Sequence, residues 1–326
     1  MNIFKRLVSI FLRISISVIL LIFLFKQVDK NVLLATIKNA DKSLLFFAFL
    51  VFFFNYLLCF YRWKMLLTTL EIQIPSKRII TSFSGGVFFS LFLPSTIGGD
   101  LVRSIDLATY TKRPREVVAT VFLDRLSGYV GLVILALLAL LLGGKFLQDK
   151  SVLFSVGIIT AILIAILLVL FNQFLYSKIN KILNSPRAGR VREAIKNLHQ
   201  EIYIFRQHKK MILKNLILSF FVQATSPVVF YIIALSFGIK LNIIYFFIFL
   251  PIIGAITLLP ISIGGLGLRD ATTIFFFAKV GVAKDFAFAM SLLNFFFLLL
   301  YGALGGFIYV LTVHHRRIQH HQSPTV

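Results

Sequence analysis

The sequence predicts an all-α polytopic membrane protein. It should hold about six full spans plus two oppositely oriented re-entrant helical hairpins, six to eight membrane segments in an inverted-repeat-like order. Three observations carry this. The chain is 59% hydrophobic, against about 45–50% for a soluble domain, and runs of roughly 20 mostly apolar residues recur along it. One phrase occurs twice: LPSTIGGDLVR at 93–103 and LPISIGGLGLR at 259–269, identical at six of eleven positions. Basic residues cluster between the apolar runs.

The elements follow in order. The first run, 7–25, comes after Lys5 and Arg6, contains Arg13 and has no small-residue cleavage site behind it. It is expected to be a retained span, with Arg13 snorkelling. Further spans are expected at 44–61, 117–142, 152–171, 216–237 and 286–313. Tyr61 and Trp63 at a span end read as interfacial anchors.

Two apolar arms, 79–93 and 243–259, run into the repeated phrase. As helices they reach only about 22 and 25 Å, short of the roughly 30 Å hydrocarbon core. Each then meets Pro, which breaks a helix, and Gly-Gly, which permits a sharp turn. Re-entrant hairpins at about 79–111 and 243–279 are therefore expected. Such backbone is tolerated at membrane depth only where it is buried in protein or lines a wet cavity.

Charge tests the arrangement. If both hairpins return to the side they left, the inner face holds 22 basic residues and the outer face nine. If each hairpin crosses once, the ten-positive stretch 178–214 falls outside, against the positive-inside rule. The first hairpin then enters from inside and the second from outside, which is the pattern of an inverted repeat with its site near the midplane. The membrane domain is assigned to 1–315. The stretch 172–215 reads as a basic amphipathic cytoplasmic segment, and 316–326 as a disordered tail.

The formal net charge of +22 does not point to nucleic acid, because the positives flank apolar spans and suit anionic lipid headgroups. Cys59 is the single cysteine, so there is no intrachain disulfide. The chain has no G-x-x-x-x-G-K-[ST] phosphate loop and no H-E-x-x-H. No cofactor or metal is expected; the histidines of the tail are read as solvated.

Ionisable residues in the apolar runs are costly, so they pair or serve a pathway. Arg103, Arg125 and Arg269 could hold a phosphate bidentately, with Asp100, Asp124 and Asp270 orienting them. Thr96, Ser262 and the backbone N–H groups of Gly98, Gly99, Gly264 and Gly265 could add donors for an anion. A purely structural reading competes: Asp–Arg pairs neutralise one another, Arg103 snorkels, and the glycines serve close helix packing. Gly302, Gly305 and Gly306 read as packing residues.

LPSTIGGDLVR, then FLDRLSGYVGL, then LPISIGGLGLRDA, in this order and spacing, resemble the membrane domain of lysylphosphatidylglycerol synthases, a flippase-like group of integral membrane proteins. The resemblance covers about residues 5–315. It departs at Asp124, where family members often carry Glu. Full-length relatives append a soluble domain that transfers lysine or alanine from aminoacyl-tRNA to phosphatidylglycerol. Here the soluble domain is expected to be absent, so no lysyltransferase activity is expected.

What the resemblance implies is a lipid translocase in a bacterial cytoplasmic (inner) membrane, with both termini cytoplasmic. It would bind a phospholipid or polyprenyl-linked headgroup in a midplane polar cavity. Membrane phospholipids are the expected partners, together with a cytosolic synthase or glycosyltransferase; no nucleic acid is. Two other readings stay open: a membrane subunit or anchor for a cytosolic lipid-modifying enzyme, and a membrane-embedded lipid or sugar transferase.

Overall fold

In lipid every backbone N–H and C=O must find a partner within the protein, and a helix satisfies them locally. The computed structural model accordingly shows only helices. It describes residues 3–69, 74–93, 96–143, 149–172, 174, 208–258, 262 and 265–322, without the side chains of 3–10, 12–14, 96–97 and 313–322. Eleven helices and no strand occur among the described residues.

The helices are α1 (Ile3–Gln27), α2 (Lys30–Asn39), α3 (Lys42–Thr69), α4 (Ser76–Phe92), α5 (Thr96–Thr111), α6 (Pro114–Leu142), α7 (Lys150–Phe171), α8 (Lys209–Ser236), α9 (Ile243–Thr257), α10 (Leu268–Ala278) and α11 (Lys284–Gln322). Among the described residues, α3, α6, α7, α8 and α11 are long and apolar enough to cross a membrane. The chain is a multi-pass membrane protein. The basic segment expected over 172–215 lies largely outside the described residues. The last helix runs to Gln322, past the position where the tail is expected to begin.

Helix starts follow local chemistry. Asp29 caps α2, accepting from the N–H of Asn31 at 2.8 Å. Asp41 receives Ser43 N–H at 2.8 Å at the start of α3, Asp149 receives Ser151 N–H at 2.9 Å, and Asn242 receives Ile244 N–H at 3.0 Å. Each side-chain oxygen satisfies a helix-end donor that lacks an intrahelical partner. Asp149 also bonds Lys279 at 2.8 Å; that ammonium and the Ser151 hydroxyl hold the carboxyl well below the usual carboxylate range. The amphipathic α2 tucks Leu33 into a cluster with Phe288 and Ala289.

Cross-helix contacts fix the directions. Gly86 meets Gly99, Ser82 bonds the Arg103 carbonyl and Arg78 bonds Asp106. One number falls as the other rises, so α4 and α5 form an antiparallel hairpin. In the same way Thr257 meets Gly265, Phe249 meets Phe276 and Phe246 meets Phe277, which makes α9 and α10 a second antiparallel hairpin.

The pairs Gly85–Tyr309 and Leu91–Gly302 run α4 antiparallel to α11. The pairs Gly143–Ile248 and Leu132–Gly254 run α9 antiparallel to α6, while Arg62–Asp124 and Trp63–Thr120 run α3 antiparallel to α6. The pairs Phe49–Phe297 and Phe52–Tyr301 keep α3 parallel to α11, and chained together these contacts put α4 and α9 in opposite directions. The two hairpins therefore enter the bundle from opposite ends.

Close approach explains the glycines. A Cβ on Gly99 would sit 2.1 Å from the Gly86 carbonyl oxygen, and one on Gly305 would sit 2.8 Å from that of Ser84. Backbone-to-backbone contact of this kind is how helices associate where lipid is as apolar as leucine. Away from these seams Phe230, Phe246, Phe249 and Phe277 build the main core, while Phe46, Phe154, Leu142 and Phe307 face outward.

Gly99→Ala is expected to lower the thermal unfolding midpoint of detergent-purified protein by several degrees, because the clash is with backbone and cannot be relieved by a rotamer. Gly157→Ala, in α7 with nothing within 4 Å of its missing Cβ, should leave the midpoint unchanged or slightly raised, since Ala is the better helix former.

Candidate functional site

In α5, Asp100 and Arg103 are three residues apart and share a face. Arg103 Nη2 reaches Asp100 Oδ1 at 2.9 Å and Asp124 Oδ2, on α6, at 3.0 Å. The other Asp124 oxygen accepts from Arg62 Nε on α3 at 2.7 Å. The other Asp100 oxygen accepts from Arg125 Nε at 2.5 Å. The result is one chain of alternating charge, Arg62–Asp124–Arg103–Asp100–Arg125, that ties together three helices.

The chain is deeply placed. Arg103 is 4% exposed and Asp124 3%; the Arg125 side chain, at 35%, is the accessible end. Arg103 does not snorkel. Its guanidinium lies 4.6 Å over the ring of Trp63, whose indole N–H donates to Thr120 at 3.2 Å. Arg62 donates further to Ser219 on α8 at 3.3 Å. Gly128 leaves room for it: a Cβ there would stand 3.3 Å from Arg62 Nη1. Around the charges lies a cavity of about 210 Å³, walled by Phe83, Val87, Ser90, Gly99 and Tyr301. One guanidinium nitrogen, Arg103 Nη1, is buried with no partner among the described residues.

The second phrase folds differently. There α10 starts at Leu268, six positions later in the phrase than α5 does in the first copy. Two glycines at positive φ, Gly265 (77°) and Gly267 (79°), make the turn, a region open to residues without a Cβ. Gly267 N–H then donates to Asp270 Oδ2 at 2.9 Å. Arg269 binds its neighbour Asp270 at 2.9 Å and Ser291 Oγ at 3.0 Å. Asp270 also accepts from Ser291, so this ion pair is closed upon itself.

The sequence-predicted residues therefore divide. Asp100, Arg103, Asp124 and Arg125 come together around one cavity. Arg269 and Asp270 form a separate pair and line no part of that cavity. Ser262 is buried, its Oγ without a partner among the described residues. Gly98 and Gly99 are not in a turn: both lie inside α5, pressed on Leu93, Gly86 and Ser90. Gly265 does turn the chain. Gly264 and the Thr96 side chain lie outside the described residues.

Sequence reasoning missed Arg62 and misplaced Trp63. Arg62 reads from the sequence as one of the inner-face basic residues and Trp63 as an interfacial anchor, but α3 continues to Thr69, which carries both into the bundle, and Trp63 is fully buried. The available signal was the apolar Met65, Leu66 and Leu67 that follow. Gly302, Gly305 and Gly306 pack on α4, as expected. Among the described residues no group of three or more His, Cys, Asp or Glu is placed to hold a metal ion.

The family model for the lysylphosphatidylglycerol synthase TM region matches residues 10–306. Among curated proteins, the UPF0104 membrane protein PH1989 of Pyrococcus horikoshii is 21% identical over 303 residues, 86% of this chain and 90% of that protein. No solved structure matches the chain.

Removing one partner of a buried ion pair strands the other. Asp124→Ala leaves two buried guanidiniums facing a lost carboxylate and is expected to cost about 3–5 kcal/mol. Adding Arg62→Ala should cost less on that background than on the wild type, because the two residues are coupled. A thermal-unfolding double-mutant cycle measures both.

Proposed function

The chain belongs to the lysylphosphatidylglycerol synthase TM-region family, and we propose that it is a lipid translocase rather than an enzyme. The cavity on the first hairpin would take the phosphate of a phospholipid or polyprenyl-linked headgroup while the acyl tails stay in lipid. The observation that carries this reading is the buried Arg62–Asp124–Arg103–Asp100–Arg125 chain beside a cavity. Charge in a membrane interior is expensive, and its usual justification is a substrate path.

Two further features support the reading. The hairpins are inverted, and their arginines lie at similar distances from the ends of the returning helices. Arg103 lies about 12 Å along α5 from its end at Thr111, and Arg269 about 13 Å along α10 from its end at Ala278, at 1.5 Å per residue. The two sites are also in unlike states, the first with a cavity and an unpartnered donor, the second sealed by its own carboxylate and serine. Inverted repeats that differ in state are what rocking of one repeat against the other around a site would use.

In this reading the hairpins are re-entrant. The end of α3 at Thr69 and the starts of α4 and α6, near Arg78 and Arg113, face the cytoplasm, with both chain termini on that side, and the ten-positive stretch 178–214 sets the orientation. The membrane is the cytoplasmic one, and the protein works beside a cytosolic synthase or glycosyltransferase that makes the lipid.

The test is movement of acyl-labelled fluorescent lipids between leaflets of liposomes holding purified protein. Wild type should accelerate movement, and Arg103→Ala and Arg269→Ala should each slow it by about tenfold or more. No acceleration of any lipid by well-folded wild type would remove the translocase and favour the subunit reading.

A further inference from the structure

The hydrogen-bond inventory of the cavity specifies the charge of its ligand. Both oxygens of Asp124 already accept from guanidiniums, Oδ1 from Arg62 and Oδ2 from Arg103. Both oxygens of Asp100 do the same, from Arg103 and Arg125. No carboxylate oxygen in the site is left without a donor. The unmet demand is the reverse: Arg103 Nη1 is a charged donor, buried, with no acceptor among the described residues. Such a group is costly to leave unpaired.

The lining points the same way. Among the described residues that wall the cavity, three guanidiniums stand against two carboxylates, and the rest of the wall is neutral. The cavity of about 210 Å³ lies below the roughly 300–1,000 Å³ of a typical ligand pocket. It suits a phosphate with a small neutral substituent.

We infer that the ligand is a lipid whose headgroup carries one net negative charge on a phosphodiester, an oxygen of which accepts from Arg103 Nη1, and that headgroups bearing added ammonium groups are rejected. The inference rests on the translocase reading for the site's use, and it narrows that reading to a substrate class. An aminoacylated headgroup brings cations to carboxylates that are already engaged and to an excess of guanidinium. A zwitterionic headgroup brings an ammonium with nowhere to go.

The protein supplies its own probe. Trp63 is the single tryptophan of the chain, and the Arg103 guanidinium lies 4.6 Å over its ring. An anion taken by Arg103 should alter Trp63 emission. Purified full-length protein in a neutral detergent would be titrated with short-chain phosphatidylglycerol, phosphatidylethanolamine and lysylphosphatidylglycerol, and with inorganic phosphate.

Phosphatidylglycerol is expected to shift the emission saturably. The zwitterionic and cationic lipids should bind at least about tenfold more weakly, since one misplaced unit charge beside a poorly solvated guanidinium is worth a factor of ten or more. Inorganic phosphate at the same concentration should leave the emission unchanged. Arg103→Lys keeps the charge but loses the second nitrogen of the fork, and should weaken phosphatidylglycerol binding by about tenfold.

Equal or tighter binding of lysylphosphatidylglycerol overturns the charge rule, and a matching response to inorganic phosphate overturns the lipid as the source. Wild-type affinity in Arg103→Lys overturns the role of Nη1; if that variant does not fold, the selectivity of the wild type decides alone. Selective binding without movement in liposomes leaves this inference standing and removes the translocase. Movement of every headgroup at one rate does the opposite.

Discussion

The constraint on which the structure depends is the placing of five charges inside an apolar bundle. An isolated buried charge costs several kcal/mol, so each must be matched, and Asp124 does most of the matching. It binds Arg62 and Arg103 from two other helices and so sets how α3, α5 and α6 meet. Gly128 gives Arg62 its room, Ser219 takes its spare donor and Trp63 covers Arg103. The glycine contact between α4 and α5 lets Arg103 and Ser82 approach across the hairpin. Replacing such a cluster with apolar side chains is often neutral or stabilising, so stability alone does not account for its presence. A ligand does.

The repeated phrase shows how one motif serves two structures. Both copies follow a short apolar helix and send the chain back along it. In the first copy Gly98 and Gly99 become helix, and their bare faces allow contact with α4. In the second, Gly265 and Gly267 take positive φ and the helix starts later. The reason lies at one aligned position, where Leu101 stands in the first copy and Gly267 in the second. Leucine continues a helix; glycine permits the left-handed turn that Asp270 then caps. The arginine is kept in both copies, but its carboxylate partners differ. Arg103 draws on Asp100 and on Asp124 from another helix, and Arg269 on the adjacent Asp270.

Much of this was legible in the sequence. Apolar runs gave the long helices, and the phrase gave the hairpins and, through loop charge, their opposite directions. Asp100, Arg103, Asp124 and Arg125 stood out because ionisable groups are rare in such surroundings. What was not legible depends on three-dimensional pairing. Arg62 sits in YRWK, which reads as a span end until one knows that Asp124 faces it. No local pattern says whether a Gly-Gly pair will turn the chain or let two helices touch. Nor does the spacing say that Arg269 closes on its own neighbour instead of joining the first cluster.

The central claim is that the buried charges are kept for an anion and not for the fold. The most direct measurement takes Arg62→Met, Arg103→Met and Asp124→Leu together, so that no lone charge is stranded, and follows thermal stability and lipid movement in liposomes side by side. The account predicts a protein at least as stable as wild type that moves no lipid. A triple variant that moves lipid at the wild-type rate would contradict it and leave the cluster a structural feature of the bundle.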